Sequence, residues 1–71
     1  MKISARNQFR GTIVDIVRGE TTSHVRIDIE SGEILTASIT NEAVDELKLV
    51  KGKKATALIK ASDVMIGVNE W

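Results

Sequence analysis

Three features of this 71-residue chain predict an all-β fold, a small five-stranded barrel carrying one short helix. Apolar residues recur at every second position over most of its length, as they do in strands with one buried and one wet face. Clusters of Gly, Ser and Thr break that alternation at short intervals, which marks turns. A single stretch shifts to a helical period.

The first strand is "GTIVDIV" (11–17), rich in β-branched residues and stopped by the polar turn "RGETTS". In "HVRIDIE" (24–30), Val25, Ile27 and Ile29 alternate with His24, Arg26, Asp28 and Glu30, which makes a second strand. "GEILTASIT" (32–40) repeats the alternation through Leu35, Ala37 and Ile39, and the Ser-Gly turn in "ESGE" (30–33) joins the two as a hairpin. The period then changes in "TNEAVDELKLV" (40–50), where Ala43, Val44 and Leu47 fall on one side and Glu42, Asp45, Glu46 and Lys48 point largely outward. Thr40 or Asn41 supplies the N-cap, Glu42 suits the positive end of the helix dipole, and Gly52 closes the segment. "KKATALIKAS" (53–62) sets Ala55, Ala57 and Ile59 opposite Lys54, Thr56, Leu58 and Lys60, and the run "VMIGV" (64–68) supplies the fifth strand. Three strands, one helix and two more strands match the five-stranded Greek-key barrel of the OB-like type. No linker or repeat divides the chain, so one domain spans residues 1–71.

A chain this short buries only roughly 60% of its unfolded surface, so its own core gives marginal stability. The only aromatic residues are Phe9 and Trp71, and the core must come from Val, Ile, Leu and Ala. Oligomerisation is the natural supplement. The absence of cysteine removes disulfides and thiolate metal sites and fits a reducing cytoplasm, and the single His24 argues against a dedicated zinc or iron site. Ten basic residues balance ten acidic ones, so no global field steers the chain to DNA or to a membrane surface. No segment approaches the roughly 20 apolar residues of a membrane span. The expectation is a soluble, cytoplasmic protein.

Catalysis finds little support. Ser23 and His24 are neighbours on a strand and point to opposite faces, and the five glycines are scattered singly, without a phosphate-binding fingerprint. Two stretches remain, "SARNQ" (4–8) and "KAS" (60–62), each joining a cation to hydroxyl or amide donors at a strand end. A tetrahedral dianion accepts hydrogen bonds and donates none, so its site needs Arg, Lys, Ser and backbone N–H groups and excludes carboxylates. Ser4, Arg6, Asn7, Lys60 and Ser62 satisfy that requirement, and Asp63 is the dissonant neighbour, expected to point away or cap the turn. Solvated charge is the plainer reading of any single member. "SIT" (38–40) adds hydroxyls and helix N-terminal amides, or else is an ordinary helix cap.

The segments "MKISARNQFRGTIVDIV", "ASITNEAVDELKL" and "ALIKASDVMIGV" closely resemble the molybdate-binding Mop proteins, or molbindins, whose domain also occurs in molybdate transporter ATPases and molybdate-responsive regulators. The resemblance runs from Met1 to about Val68, with "SARNQ", "TNEAV" and "KASDV" in the family's order and spacing. It implies an OB-like barrel that binds molybdate or tungstate and assembles as a homohexamer, a trimer of dimers, with oxyanion sites between subunits. The matching positions are Ser4, Arg6, Asn7, Lys60, Ala61 and Ser62, with Ser38 and Thr40 as further members. Arg6 and Lys60 would offset the dianion's charge, and Ala61 would contribute only backbone.

The function this implies is oxyanion storage or buffering without chemistry, and no nucleic-acid or membrane partner. A nucleic-acid-binding OB module is the alternative, with "KGKK" (51–54) as its best feature and two aromatic residues as its weakness. A purely structural oligomerisation domain would form the same assembly without responding to anions.

Overall fold

The computed structural model describes residues 1–70, and Trp71 lies outside the described residues. Four strands form one antiparallel sheet: β1 (Asn7–Arg18), β2 (Thr22–Ile29), β3 (Ile34–Thr40) and β4 (Lys54–Ile59), in the order β3-β2-β1-β4. One helix, α1 (Asn41–Glu46), connects β3 to β4. The sheet curls into a half-barrel because β1 is long and serves two neighbours. Its first half pairs with β4 from Asn7↔Ile59 to Thr12↔Lys54, and its second half pairs with β2. Between Ile13 and Asp15 the register slips by a bulge, which bends the strand and raises its twist. Gly11 permits the same bend. A Cβ there would lie 2.4 Å from the Asp28 carbonyl oxygen, so β1 and β2 approach closely only because the side chain is absent.

The predicted alternation holds where burial enforces it. Val25, Ile27 and Ile29 of β2 join Ile13 and Val44 in the buried core, with Leu35, Ile39, Ala55 and Ala57 packed against them. The turn between β2 and β3 closes through Gly32, at φ 91°, whose N–H donates to the Ile29 carbonyl at 2.8 Å. β1 begins four residues earlier than the apolar run suggests, since pairing with β4 draws "NQFR" into the ladder.

The helix is short, as the sequence pattern implies. Thr40 is the N-cap, its hydroxyl oxygen accepting from the Ala43 N–H at 3.1 Å. The chain leaves the helical path at Lys48, in the left-handed region at φ 53°, and Lys53 Nζ donates to the freed carbonyls of Leu47 and Lys48. Leu47 is therefore exposed rather than packed inside, and Leu49 turns back toward the core in its place.

The expected fifth strand is corrected: residues 64–68 form no ladder with any other strand. β4 ends at Ile59, and a 3₁₀ turn over Ala61–Asp63, closed by the Asp63 N–H on the Lys60 carbonyl at 2.9 Å, redirects the chain away from the sheet. Met65 is 92% exposed, and Ile66 and Val68 are each 85% exposed. The barrel lacks the wall this strand would supply, and an apolar groove of about 310 Å³ lies open, lined in part by Ile13, Ile27, Leu35, Ile39, Leu49 and Ala57. A compact monomer of this mass exposes about 4,400 Å². This chain exposes 5946 Å². Its radius of gyration is 13.4 Å, against about 11 Å for a compact domain of this length.

Gly11→Ala is expected to lower stability by about 1–3 kcal/mol, because the added Cβ meets rigid backbone. Lys51→Ala, at an exposed turn position after α1, should stay within about 0.5 kcal/mol of the parent. Urea unfolding at one fixed chain concentration checks both.

Candidate functional site

The β1–β4 ladder ends at Asn7↔Ile59, so Arg6 and Lys60 are the next residues outward on neighbouring strands. The register thereby brings the Ser4–Asn7 and Lys60–Ser62 stretches, 53 or more residues apart in sequence, to one end of the sheet. The Asn7 side-chain amide donates to the Ile59 carbonyl at 3.2 Å, tying the two stretches together. Gln8 Nε2 donates to the Ala5 carbonyl at 2.9 Å, which curls the N-terminal stretch. The first N–H groups of a 3₁₀ turn have no acceptor within it, so Ala61 and Ser62 carry main-chain donors next to Lys60. Asp63 closes that turn through its own backbone N–H. Ser4, Arg6, Lys60, Ala61 and Ser62 are exposed, and Asn7 is half-buried. One chain thus offers two cations, two hydroxyls and backbone donors on an open surface.

Ser38 and Thr40 are not part of this group within one chain. They pair with His24 and Thr22 on β2, whose neighbour Ser23 pairs with Arg18 at the far end of β1. That end lies a contour of about 36 Å along β1 from Asn7, at about 3.3 Å per residue. There the outer face of β2 and β3 carries the cross-strand pairs Thr22↔Thr40, His24↔Ser38 and Arg26↔Thr36, with Asp15 of β1 in register beside Arg26. Thr40 uses its hydroxyl oxygen as the helix cap and keeps its O–H to donate.

A polar network outside the sequence motifs holds this second group in place. Ser23 is fully buried, and its hydroxyl donates to Asn41 Oδ1 at 2.6 Å. Asn41 Nδ2 donates to the Gly19 carbonyl at 3.0 Å, and the Asn41 N–H donates to Thr21 at 2.9 Å. The start of α1 is therefore fastened to the β1–β2 turn. The signal was present in the sequence: Ser23 stands on the apolar side of the Val25, Ile27, Ile29 alternation, where a hydroxyl requires a partner. Arg18 adds a bidentate bond to Asp45, at 2.9 and 3.0 Å, joining the end of β1 to α1. The hydrogen bond from Arg18 holds the Asp45 carboxyl below its ordinary pKa, the partial desolvation opposing it. Among the described residues, no three His, Asp or Glu side chains converge as a cation site, and no helix is long and apolar enough to cross a membrane.

The TOBE domain family profile matches residues 3–66. A probable molybdenum-pterin-binding protein of Haemophilus influenzae is 50% identical over 68 residues, which cover 96% of this chain and 99% of that protein. The solved structure of MopII from Clostridium pasteurianum, in an apo form, superposes with a TM-score of 0.91 at 39% identity, covering 94% of this chain and all of that one. The cytoplasmic molybdate-binding protein ModG, solved with molybdate bound, gives a TM-score of 0.93 at 40% identity, covering 97% of this chain and 49% of ModG.

The depressed Asp45 pKa makes the Arg18–Asp45 contribution present above the unfolded carboxylate pKa and lost as pH falls through the folded value. The parent should therefore be more stable than Asp45→Asn at neutral pH, with the gap closing in strong acid. Urea unfolding across a pH series measures this, and a gap that persists below the carboxylate range contradicts it.

Proposed function

The chain belongs to the TOBE domain family, among the small molybdate-binding Mop proteins, and on that basis we propose that it binds molybdate, or its analogue tungstate, in the cytoplasm for storage or buffering. The observation that carries this reading is the Asn7↔Ile59 register, which joins "SARN" to "KAS". Arg6 and Lys60 offset the two negative charges. Ser4 and Ser62 donate through hydroxyls, and Ala61 and Ser62 through main-chain N–H groups. On this reading the groups bind without transforming, in keeping with relatives that are named as binding proteins.

The site is completed by a second copy. An exposed surface with two cations leaves a dianion largely in water, where such pairs contribute little, whereas burial between chains strengthens every charge-assisted bond. Ser38 and Thr40, too distant to serve their own chain, supply donors from a neighbour. Assembly itself is supported by the open groove and the unpaired apolar segment 64–68. Val64, Met65, Ile66 and Val68 of one copy fill the groove of another, each contributing about 1.5–3 kcal/mol on full burial. Closure in pairs, with pairs grouped by threes, gives the homohexamer that the family resemblance implies.

Molybdate and tungstate should raise the melting temperature in a thermal-shift panel more than equimolar phosphate, because protonated phosphate brings a donor that finds no acceptor. Sulfate is the stricter comparison, and an equal response to sulfate and molybdate would remove the selectivity. By calorimetry, Arg6→Ala or Lys60→Ala should weaken molybdate binding about tenfold or more, the scale of one hydrogen bond to a charged group. Lys51→Ala should change it little; all three variants binding like the parent would refute the site.

The double variant Met65→Asp, Ile66→Asp should dissociate the assembly in sedimentation while each chain keeps its sheet. In the parent, a hundredfold excess of molybdate over its dissociation constant adds about 2.7 kcal/mol per site to the assembled state. The oligomer should then persist to lower chain concentration. A monomer that binds molybdate as tightly as the oligomer would rule out a site between chains.

A further inference from the structure

Asn7 belongs by sequence to the oxyanion-binding set, yet its side-chain amide is already engaged. It donates across the strand boundary to the carbonyl of Ile59, the peptide group that leads directly into Lys60. Asn7 and Ile59 face each other as the last register pair of the β1–β4 ladder, and both are half-buried on the concave side, in line with Ala57 and Phe9. Lys60 follows with extended backbone, φ −62° and ψ 133°, so its side chain leaves on the opposite face from Ile59. The amide of Asn7 therefore reaches the backbone under the site rather than the surface where the cations lie. Beyond this pair no ladder bond restrains either stretch, and residues 60–70 are all exposed. The side-chain bond reinforces this last ladder pair, which holds the end of β4 against the start of β1.

Resting on the oxyanion reading above, we propose that Asn7 is a positioning residue: it fixes the spacing between Arg6 and Lys60, and that spacing selects among tetrahedral dianions by size. Two cations held at one separation fit one oxyanion radius better than another. Sulfate carries the same charge and shape as molybdate and is smaller, so a fixed spacing separates them where charge cannot. Released from the tie, the Lys60 stretch closes onto the smaller anion as readily as it holds the larger.

The test uses the full-length oligomer with molybdate and sulfate as probes, in the parent and in Asn7→Ser, whose hydroxyl is too short to reach the Ile59 carbonyl, and Asn7→Leu, which removes the donor without adding charge. Calorimetry reads the ratio of sulfate to molybdate dissociation constants. The proposal expects that ratio to fall in both variants, by up to about tenfold, the ceiling for one neutral hydrogen bond. An equal loss of affinity for both anions would make Asn7 a direct ligand and overturn the proposal, as would an unchanged ratio. Hydrogen exchange on ligand-free protein tests the tie itself: the Ile59 and Asp63 amides should exchange faster in Asn7→Ser, with β2 and β3 unchanged, and equal exchange overturns it. This second measurement needs no bound anion. A parent that binds no molybdate, with the exchange difference present, would instead count against the oxyanion reading while leaving the tie intact.

Discussion

The constraint on which the rest depends is that the sheet has four strands and a barrel of this kind needs five. β3 and β4 stand at its two edges, and the apolar groove between them lies open among the described residues. The segment with the composition to cover it, residues 64–68, is turned away by the 3₁₀ turn after Lys60. An open barrel of about 70 residues has a small buried core, here Ile13, Val25, Ile27, Ile29 and Val44, and a surplus of exposed apolar side chains. The proposed closure by another copy would answer both at once and would link stability to assembly.

The same turn that withholds the fifth strand builds the candidate site. Ala61–Asp63 redirects the chain beside Arg6, and the start of that turn carries the main-chain donors. Under the proposed function, a turn that offers an apolar segment to a neighbour also puts the oxyanion donors at the boundary between chains. On the proposed reading, binding and assembly are then one equilibrium, and Thr40, fastened by the Ser23–Asn41 network, stands where a neighbour's donors must be rigid.

Much of this was legible in the sequence where burial imposes a period. Val25, Ile27 and Ile29 declare their strand because a one-residue slip would put all three in water. Ser4, Arg6, Lys60 and Ser62 stood out because a dianion's chemistry narrows the residue types. The run "VMIGV" has strand composition, and the expectation of a fifth strand failed because composition does not supply an edge to pair with, and the turn at Ala61–Asp63 carries the run away from the sheet. The short helix was legible, but the outward turn of Leu47 was not, because it follows from the left-handed Lys48 that ends the helical path. Asn7 was legible as polar and motif-borne, but its bond to Ile59 depends on a register that only the folded sheet defines.

The central claim is that one oxyanion site draws residues from two chains, and mixing two defective chains tests it most directly. Arg6→Ala removes a cation, while Thr40→Asp keeps the helix N-cap and places a carboxylate where the oxyanion should accept a donor. Each variant alone should bind molybdate poorly. If Arg6 and Thr40 of one site belong to different chains, random co-assembly restores about a quarter of the sites with both residues intact. Calorimetric titration of the co-refolded mixture should therefore recover parent-like affinity at reduced stoichiometry. A mixture that binds no better than its two components would contradict the account, because residues of a single-chain site cannot complement one another.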